Sequence, residues 1–399
     1  MPKALFFNIP GYGHINPSLP MVTELVRRGH EIVYFASESF RSQIEAAGAR
    51  FQAYKTVGDG YFETEKLSGA VPQKVALALL NTTGDILPEL LELAQAEQPD
   101  YIMYDSMCPW GYFVGQILKK PTVASYALMP PTSPRALMHP LKLKAIVPVI
   151  AGDLPTGVKA NRKSKALGNQ YGVKPLGATE FANAPADLGI SYGSPYFVPF
   201  SKSAAPYMRF VGRTLDDTPQ DPSFSFDALK GRKLIYISLG TLNNDDLSFF
   251  HDCIGAYRDS DVNVIISTGK GVDPASFGGL PDNIAVYTWV PQLDVLRRAD
   301  MFITHGGLGS ILDGLYFGVP LLLVPQQAEQ TLNSLRVADL KAGVVLHKNI
   351  VSVDSLRWYK DRFLNEADLK AQARKIGDSL REAGGATKAA DLIEEMLSR

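Results

Sequence analysis

A histidine and an aspartate stand where two apolar runs end. His14 lies in Gly11-Tyr12-Gly13-His14-Ile15-Asn16-Pro17, just beyond the run Ala4–Ile9, and Asp105 directly follows the run Tyr101–Tyr104. A histidine titrates near neutral pH and can take a proton from a hydroxyl. A carboxylate on its other ring nitrogen fixes the tautomer and stabilises the imidazolium that forms. The pair therefore predicts general-base chemistry, His14 as base and Asp105 as its partner, if the two runs are neighbouring strands. The structural alternative has His14 capping a turn and Asp105 beginning a helix. The flanking glycines favour chemistry, because they let the backbone approach a ligand closely.

A second set of residues occupies the far half of the chain. Trp289-Val290-Pro291-Gln292 is followed by Thr304-His305-Gly306-Gly307-Leu308-Gly309-Ser310, then Asp313, then Pro325-Gln326-Gln327-Ala328-Glu329-Gln330. His305 ends an apolar run, and the glycines open the helix after it. Unpaired N–H groups at such a helix start, at the positive end of its dipole, suit a diphosphate, and Ser310 adds a hydroxyl. Asp313 stands one turn beyond Gly309, where a carboxylate can take the two hydroxyls of a ribose. Trp289 offers a flat face to a base, and Glu329 and Gln330 follow another strand end as partners for sugar hydroxyls. Ser238-Leu239-Gly240-Thr241 is a second glycine turn, able to face the phosphates from the other side. Each piece alone has a structural explanation: a glycine-rich turn commonly just seats a helix on a sheet, and a tryptophan commonly sits in a core. In this order, at successive strand ends, they point to a nucleotide-sugar site.

Such residues need a scaffold that brings strand ends together. In the first half, strands are predicted at Ala4–Ile9, Glu31–Phe35, Tyr101–Tyr104 and Thr122–Ser125. Asn16-Pro17 reads as an N-cap followed by proline at the first helical position, with the helix stopped at Gly29. A further helix spans Phe40–Ala47. Residues 127–177 read as loops and short helices. In the second half, strands are expected at Leu234–Leu239, Asn263–Ser267, Ala285–Tyr287, Met301–Thr304, Leu321–Val324 and Val344–Leu346. Strand–helix alternation in both halves predicts an α/β protein of two doubly wound, Rossmann-like domains facing a central cleft. The expected division is an acceptor-binding domain over 1–212, a linker over 213–228, a nucleotide-sugar domain over 229–375, and a last helix within 376–399.

Bulk composition narrows the function classes. A chain of 399 residues is long for one core. A net charge of -1 gives no general attraction to nucleic acid or anionic membranes. There is no apolar run of about 18 residues to span a bilayer, and the N-terminal run reads as a strand, not a signal peptide. Cys108 and Cys253 imply no disulfide framework. The expectation is a cytoplasmic protein, monomeric or weakly dimeric, with no nucleic acid or membrane partner. Asp259-Ser260-Asp261 has the form of a metal-binding Asp-x-Asp but falls just before a strand, so it reads as a solvated turn.

These segments resemble the family 1 nucleotide-sugar glycosyltransferases of the GT-B fold, most nearly the bacterial macrolide and natural-product branch. The resemblance covers Gly11–Pro17, Ser238–Thr241 and Trp289–Gln330, the last being the most specific. It implies that His14 is the catalytic base and Asp105 its partner. It further implies donor contacts from Gly240, Thr241, Trp289, Val290, Gln292, His305, Gly307, Gly309, Ser310, Asp313, Glu329 and Gln330. Trp289 and Gln292 would serve base and ribose, His305 and Ser310 the diphosphate, Asp313 the ribose, and Glu329 with Gln330 the sugar. The reaction implied is inverting and metal-independent, with no cofactor beyond the co-substrate, UDP-glucose. Acceptor contacts are expected from Phe62, Met107, Trp110 and Met129, an adaptable apolar lining for a small hydrophobic hydroxylated molecule, with a place in the core as the alternative for any one of them. The sequence departs from the family pattern at Gly309, where most members have Asn, and at Asp313, where most have Glu. A change from Asn to Leu is suspected at Leu335. The rival class is a non-catalytic GT-B protein that activates a partner transferase.

Overall fold

A computed structural model of the chain describes residues 1–56, 72–130, 132, 133, 135, 153–177, 180, 181, 183–215, 221, 223–226, 231–240 and 246–399. The apolar runs become parallel strands. In the first unit these are β1 (Lys3–Phe7), β2 (Glu31–Ala36), β3 (Arg50–Ala53), β4 (Tyr101–Asp105), β5 (Thr122–Tyr126), β6 (Leu188–Ser191) and β7 (Met208–Phe210). Their order is β3-β2-β1-β4-β5-β6-β7. The helices between them are α1 (Tyr12–Arg27), α2 (Arg41–Ala46), α3 (Pro72–Glu97), α4 (Pro109–Leu118) and α5 (Leu154–Tyr171). A parallel strand covered on both faces needs near-continuous apolar sequence. Ala4 to Phe7 in β1 and all of β4 are buried accordingly.

The second unit repeats the plan. Its strands are β8 (Lys233–Ser238), β9 (Val262–Ser267), β10 (Ile284–Tyr287), β11 (Met301–Thr304), β12 (Leu321–Leu323) and β13 (Gly343–Val345), in the order β10-β9-β8-β11-β12-β13. Its helices are α6 (Leu247–Tyr257), α7 (Gln292–Leu296), α8 (Leu308–Tyr316), α9 (Ala328–Asp339), α10 (Val353–Asn365) and α11 (Ala367–Glu382), after which α12 (Gly385–Leu397) rejoins the first unit. In each sheet the chain runs outward to one edge and then jumps back. The order reverses between β1 and β4, and again between β8 and β11. Ligands of doubly wound sheets collect at the carboxyl ends of strands beside such a reversal.

Local structure departs from expectation in three places. First, α1 starts at Tyr12 with Gly11 as its N-cap, not at Pro17 behind an Asn16 cap. Gly11 O accepts from both His14 N and Ile15 N at 2.9 Å and closes the first turn. Pro17 and Pro20 therefore lie inside the helix, and His14 is a helical residue. Second, 127–177 contains the long helix α5. Asp153 caps it by accepting from Thr156 N, and Gly172 stops it in the left-handed region. Its buried stripe is only Ala160, Ser164, Leu167 and Gly168, too narrow and too small-sided to register as apolar periodicity. Third, the boundaries move. The units are Met1–Leu215 with Glu382–Arg399, and Asp216–Arg381. Arg213 and Thr214, expected in the linker, are buried, and Thr214 donates its hydroxyl to Pro17 O within the first unit. Residues 376–381 stay with the second unit because α11 lies against the end of α8. A side chain on Gly377 would stand 2.4 Å from Leu315 O.

The helix that returns, α12, buries Ala389, Ala390 and Ile393 and packs on α1. Arg28, at the end of α1, donates to Asp391 and Glu394 of α12 at 2.8 and 2.7 Å while its Nε holds Glu24 at 2.8 Å. Hydrogen bonds from Arg27 and Arg28 pull the Glu24 carboxyl down to about 2. Both cysteines are free and buried, one in each unit. No helix among the described residues is long and apolar enough to cross a membrane.

Candidate active site

At the first reversal, β1 and β4 pair directly with Phe7 opposite Tyr104, so the residues following both strands emerge side by side. His14 Nδ1 lies 2.9 Å from Asp105 Oδ2. A carboxylate only accepts, so Nδ1 carries the proton and Nε2 carries the lone pair. Asp105 is fully buried, and its other oxygen accepts from Met107 N at 2.8 Å. One oxygen thus fixes the backbone after β4 while the other orients the ring. The imidazole keeps 18% of its surface exposed, so a substrate hydroxyl can reach the histidine but not its partner. A side chain on Gly13 would meet nothing within 4 Å. Glycine there keeps open the space beside the histidine.

What holds this turn was not read from the sequence. Asn8 Nδ2 donates to Tyr34 OH at 2.6 Å, Tyr34 OH donates to Ser18 Oγ at 2.7 Å, and Ser18 Oγ donates to Ile15 O at 2.8 Å. Tyr54 OH completes the set by donating to Asn8 O at 3.0 Å. These buried bonds tie the first two turns of α1 to β1 and β2. The available signal was Asn8, a polar residue near the end of the apolar run Ala4–Ile9.

The expected acceptor residues divide. Met107 and Met129 are half-buried beside this site's strands, and Phe62 lies outside the described residues. Trp110 requires correction. It is wholly buried, donating Nε1–H to Tyr54 OH at 3.2 Å, because the helix that follows Asp105 turns its first residues into the core. Burial also pushes the Cys108 thiol up, away from thiolate chemistry.

At the second reversal, Ser238 pairs with Thr304 at the ends of β8 and β11. A Cβ on Gly240 would stand 2.5 Å from His305 Cε1, and one on Gly307 2.6 Å from His305 Nε2. The imidazole fills the room that two absent side chains leave. Gly240 also has φ +83°, and its N–H points to Ser238 Oγ at 3.3 Å. Thr241 lies outside the described residues. Gly307 caps α8 without a side-chain hydrogen bond, so the first N–H groups of that helix keep the anion-binding character of an uncapped start. Ser310 is half-buried in this turn, and a side chain on Gly309 would meet nothing within 4 Å. A side chain at this position, where the resemblance implies asparagine, would therefore enter open space.

Desolvation lowers the His305 pKa to about 4, so at neutral pH this ring offers an N–H and no charge. The unfolded chain then binds a proton that the folded chain refuses, between the ordinary 6.5 and about 4. Stability falls as pH drops through that window and levels off below it. His305→Gln should flatten this part of the curve. Thermal melts of parent and variant from pH 7 to 4 test it, and identical losses in the two proteins would refute the assignment.

Other donor residues converge on the same strand ends. Trp289 is 63% exposed on the segment after β10, as a base platform must be, whereas Val290 is buried and has only its backbone to offer. Gln292 Nε2 donates to Asp313 Oδ2 at 2.9 Å, which joins two residues that stand 21 positions apart. Gln330 is partly spent: its Oε1 accepts from Gln326 N and Gln327 N, capping α9. Asn333, missed by the sequence reading, donates to Glu329 Oε1 and to Gly306 O at 3.4 Å. It links the carboxylate expected to serve the sugar to the glycine turn expected to serve the diphosphate. Its signal was the four-residue spacing from Glu329 on one helix face. Asp261 pairs with Lys360 at 3.2 Å and precedes β9, at the opposite end of the sheet from this site.

Comparison with known proteins extends the likeness to the whole chain. Residues 252–396 match the family described as Erythromycin biosynthesis protein CIII-like, C-terminal domain. The chain is 32% identical to the NDP-glycosyltransferase YjiC of Bacillus subtilis (strain 168), over 98% of this chain and 96% of that protein. It is 29% identical to the demethyllactenocin mycarosyltransferase of Streptomyces fradiae, over 100% of this chain and 87% of that one. Among solved structures, the calicheamicin glycosyltransferase CalG4 superposes with a TM-score of 0.82 at 27% identity, covering 100% of this chain and 99% of that one. Sequence and fold agree over their full length, and the chain belongs to the family 1 natural-product glycosyltransferases of the GT-B fold.

Proposed function

We propose that the protein transfers glucose from UDP-glucose, with inversion, to a hydroxyl of a small hydrophobic acceptor such as a flavonoid, phenolic, macrolide or terpenoid. The observation that carries this reading is the His14–Asp105 pair, 2.9 Å apart at a sheet reversal, with the imidazole accessible and the carboxylate buried. His14 Nε2 takes the acceptor's proton as the acceptor oxygen bonds to the anomeric carbon. The bond from that carbon to the diphosphate breaks, and its electron pair leaves on the diphosphate oxygen. Asp105 stabilises the imidazolium, which later gives its proton to solvent. The N–H groups at the start of α8, the Ser310 hydroxyl and the neutral His305 receive the growing charge on the leaving group without a metal. Gln292 and Asp313 hold the ribose, Trp289 the base, and Glu329 with Gln330 the sugar. The names of relatives that act on oleandomycin and calicheamicin support an acceptor of this class.

Incubation with UDP-glucose and a panel of phenolic and macrolide acceptors should release UDP and yield a product heavier by one hexose residue. The open space at Gly309 keeps one other reading in view, a partner-activating protein with a weak donor site. Binding of UDP with no release from any donor and acceptor pair would favour that reading and end this one.

A further inference from the structure

We propose that Tyr236 is the positioning residue of the nucleotide site: through Gln292, its buried hydroxyl sets the Asp313 carboxylate for the ribose. This rests on the assignment of Gln292 and Asp313 to the ribose, and the test separates the two ideas.

Tyr236 lies on the central strand β8 and is 1% exposed. Its ring stacks on Phe302 of β11 at 4.7 Å and 12°, so the phenol cannot swing. The hydroxyl stands 3.3 Å from Gln292 Oε1, and Gln292 Nε2 stands 2.9 Å from Asp313 Oδ2. Chemistry fixes every direction in this chain. The carboxylate only accepts, so the NH2 of Gln292 must face Asp313. The amide oxygen then faces Tyr236, and the phenol must donate. The phenol oxygen is left free of any second donor role, because its one proton is committed to Gln292 Oε1. A one-way pair of hydrogen bonds thus runs from the Tyr236 hydroxyl through the Gln292 amide to the carboxylate of Asp313. Bonds aligned in this way strengthen one another.

The arrangement matters because an aspartate reaches less far than a glutamate. A short carboxylate makes its contact only if its plane is held, and the Gln292 amide is what holds it. Remove the phenol and Gln292 Oε1 loses its donor. The amide can then rotate and turn its oxygen on Asp313, which repels it. Nothing in the sequence distinguishes Tyr236 from the apolar residues of its strand.

The probes are UDP and 2′-deoxy-UDP, titrated calorimetrically into the full-length protein. Parent protein should prefer UDP, because Asp313 contacts the hydroxyl that the deoxy form lacks. Tyr236→Phe keeps the ring and its stacking on Phe302. It should lower UDP affinity about 10-fold, the size of one hydrogen bond to a charged group, and bring the two nucleotides toward parity. Gln292→Leu should do the same, and the double variant should be no worse than either single one. If Y236F weakens both nucleotides equally and keeps the preference, Tyr236 is merely structural and the proposal is overturned. Asp313→Ala separates the levels. Loss of preference in D313A but not in Y236F overturns the Tyr236 role alone. Preference intact in both overturns the ribose assignment and the proposal with it.

Discussion

His14→Ala should lower the rate of transfer by about 10²–10⁴, the usual yield of a positioned general base, while leaving the affinity for UDP unchanged. The split follows from where the groups sit. His14 and Asp105 belong to the first unit, and every residue assigned to the nucleotide belongs to the second. Loss of the imidazole leaves the acceptor hydroxyl to shed its proton to water, so the effect falls on kcat. Asp105→Asn should follow the same course, because the amide can offer its NH2 to Nδ1 and favour the wrong tautomer. The loss should shrink for acceptors whose hydroxyl is already acidic, since they need the base least. Progress curves with a phenol and an aliphatic alcohol, alongside UDP titrations, read all of this. Turnover of the alcohol at the parent rate in the alanine variant would remove His14 from the mechanism.

Gly306→Ala should be the most damaging single change on the donor side. Gly306 has φ +87°, a conformation that costs an ordinary L-residue roughly 1–2 kcal/mol. Its Cβ would also stand 2.3 Å from Ser334 Oγ and 3.1 Å from Gln330 O. Both atoms belong to α9: the Ser334 hydroxyl must rotate away, and the Gln330 carbonyl, in the backbone that carries Glu329, Gln330 and Asn333, must give by a few tenths of an ångström. Donor affinity should fall at least 10-fold, and the melting temperature should fall too. The two contributions can be separated. Ser334 Oγ is buried with no hydrogen-bond partner among the described residues, so Ser334→Ala by itself should be nearly neutral. Combined with Gly306→Ala it removes the closer collision, with Ser334 Oγ, and leaves the contact with Gln330 O and the backbone cost. The double variant should therefore regain part of the lost affinity and stability. No recovery at all would mean that backbone conformation, not crowding, makes glycine obligatory there.

The two sheets were legible because parallel strands covered on both faces must be continuously apolar, and that pattern survives in a single sequence. The His14–Asp105 pair was legible for a related reason: Asp105 directly follows one such run, and His14 lies in the glycine turn a few residues beyond another. What escaped was whatever depends on contacts between elements. Trp110 looked like a pocket aromatic, but only packing shows that its indole N–H faces Tyr54 in the core. The start of α1 was misplaced because a proline after an asparagine imitates a helix start, and only the bonds to Gly11 O show that the helix begins earlier. Asn333 and Tyr236 act through partners far away in sequence or across a sheet, which no local pattern encodes. The boundary at Arg381 depends on the close approach of α11 to Leu315 at a single glycine.

The return of α12 to the first unit bears on the order in which a ribosome can deliver this fold. Translation supplies the whole of the second unit before the residues that finish the first. Until α12 emerges, the face of α1 that it covers has no Ala389, Ala390 or Ile393 to pack on, and Arg28 lacks two of its three carboxylates. The half that holds His14 and Asp105 is therefore begun before its neighbour and completed after it. A nascent chain carries it unfinished through the synthesis of its neighbour.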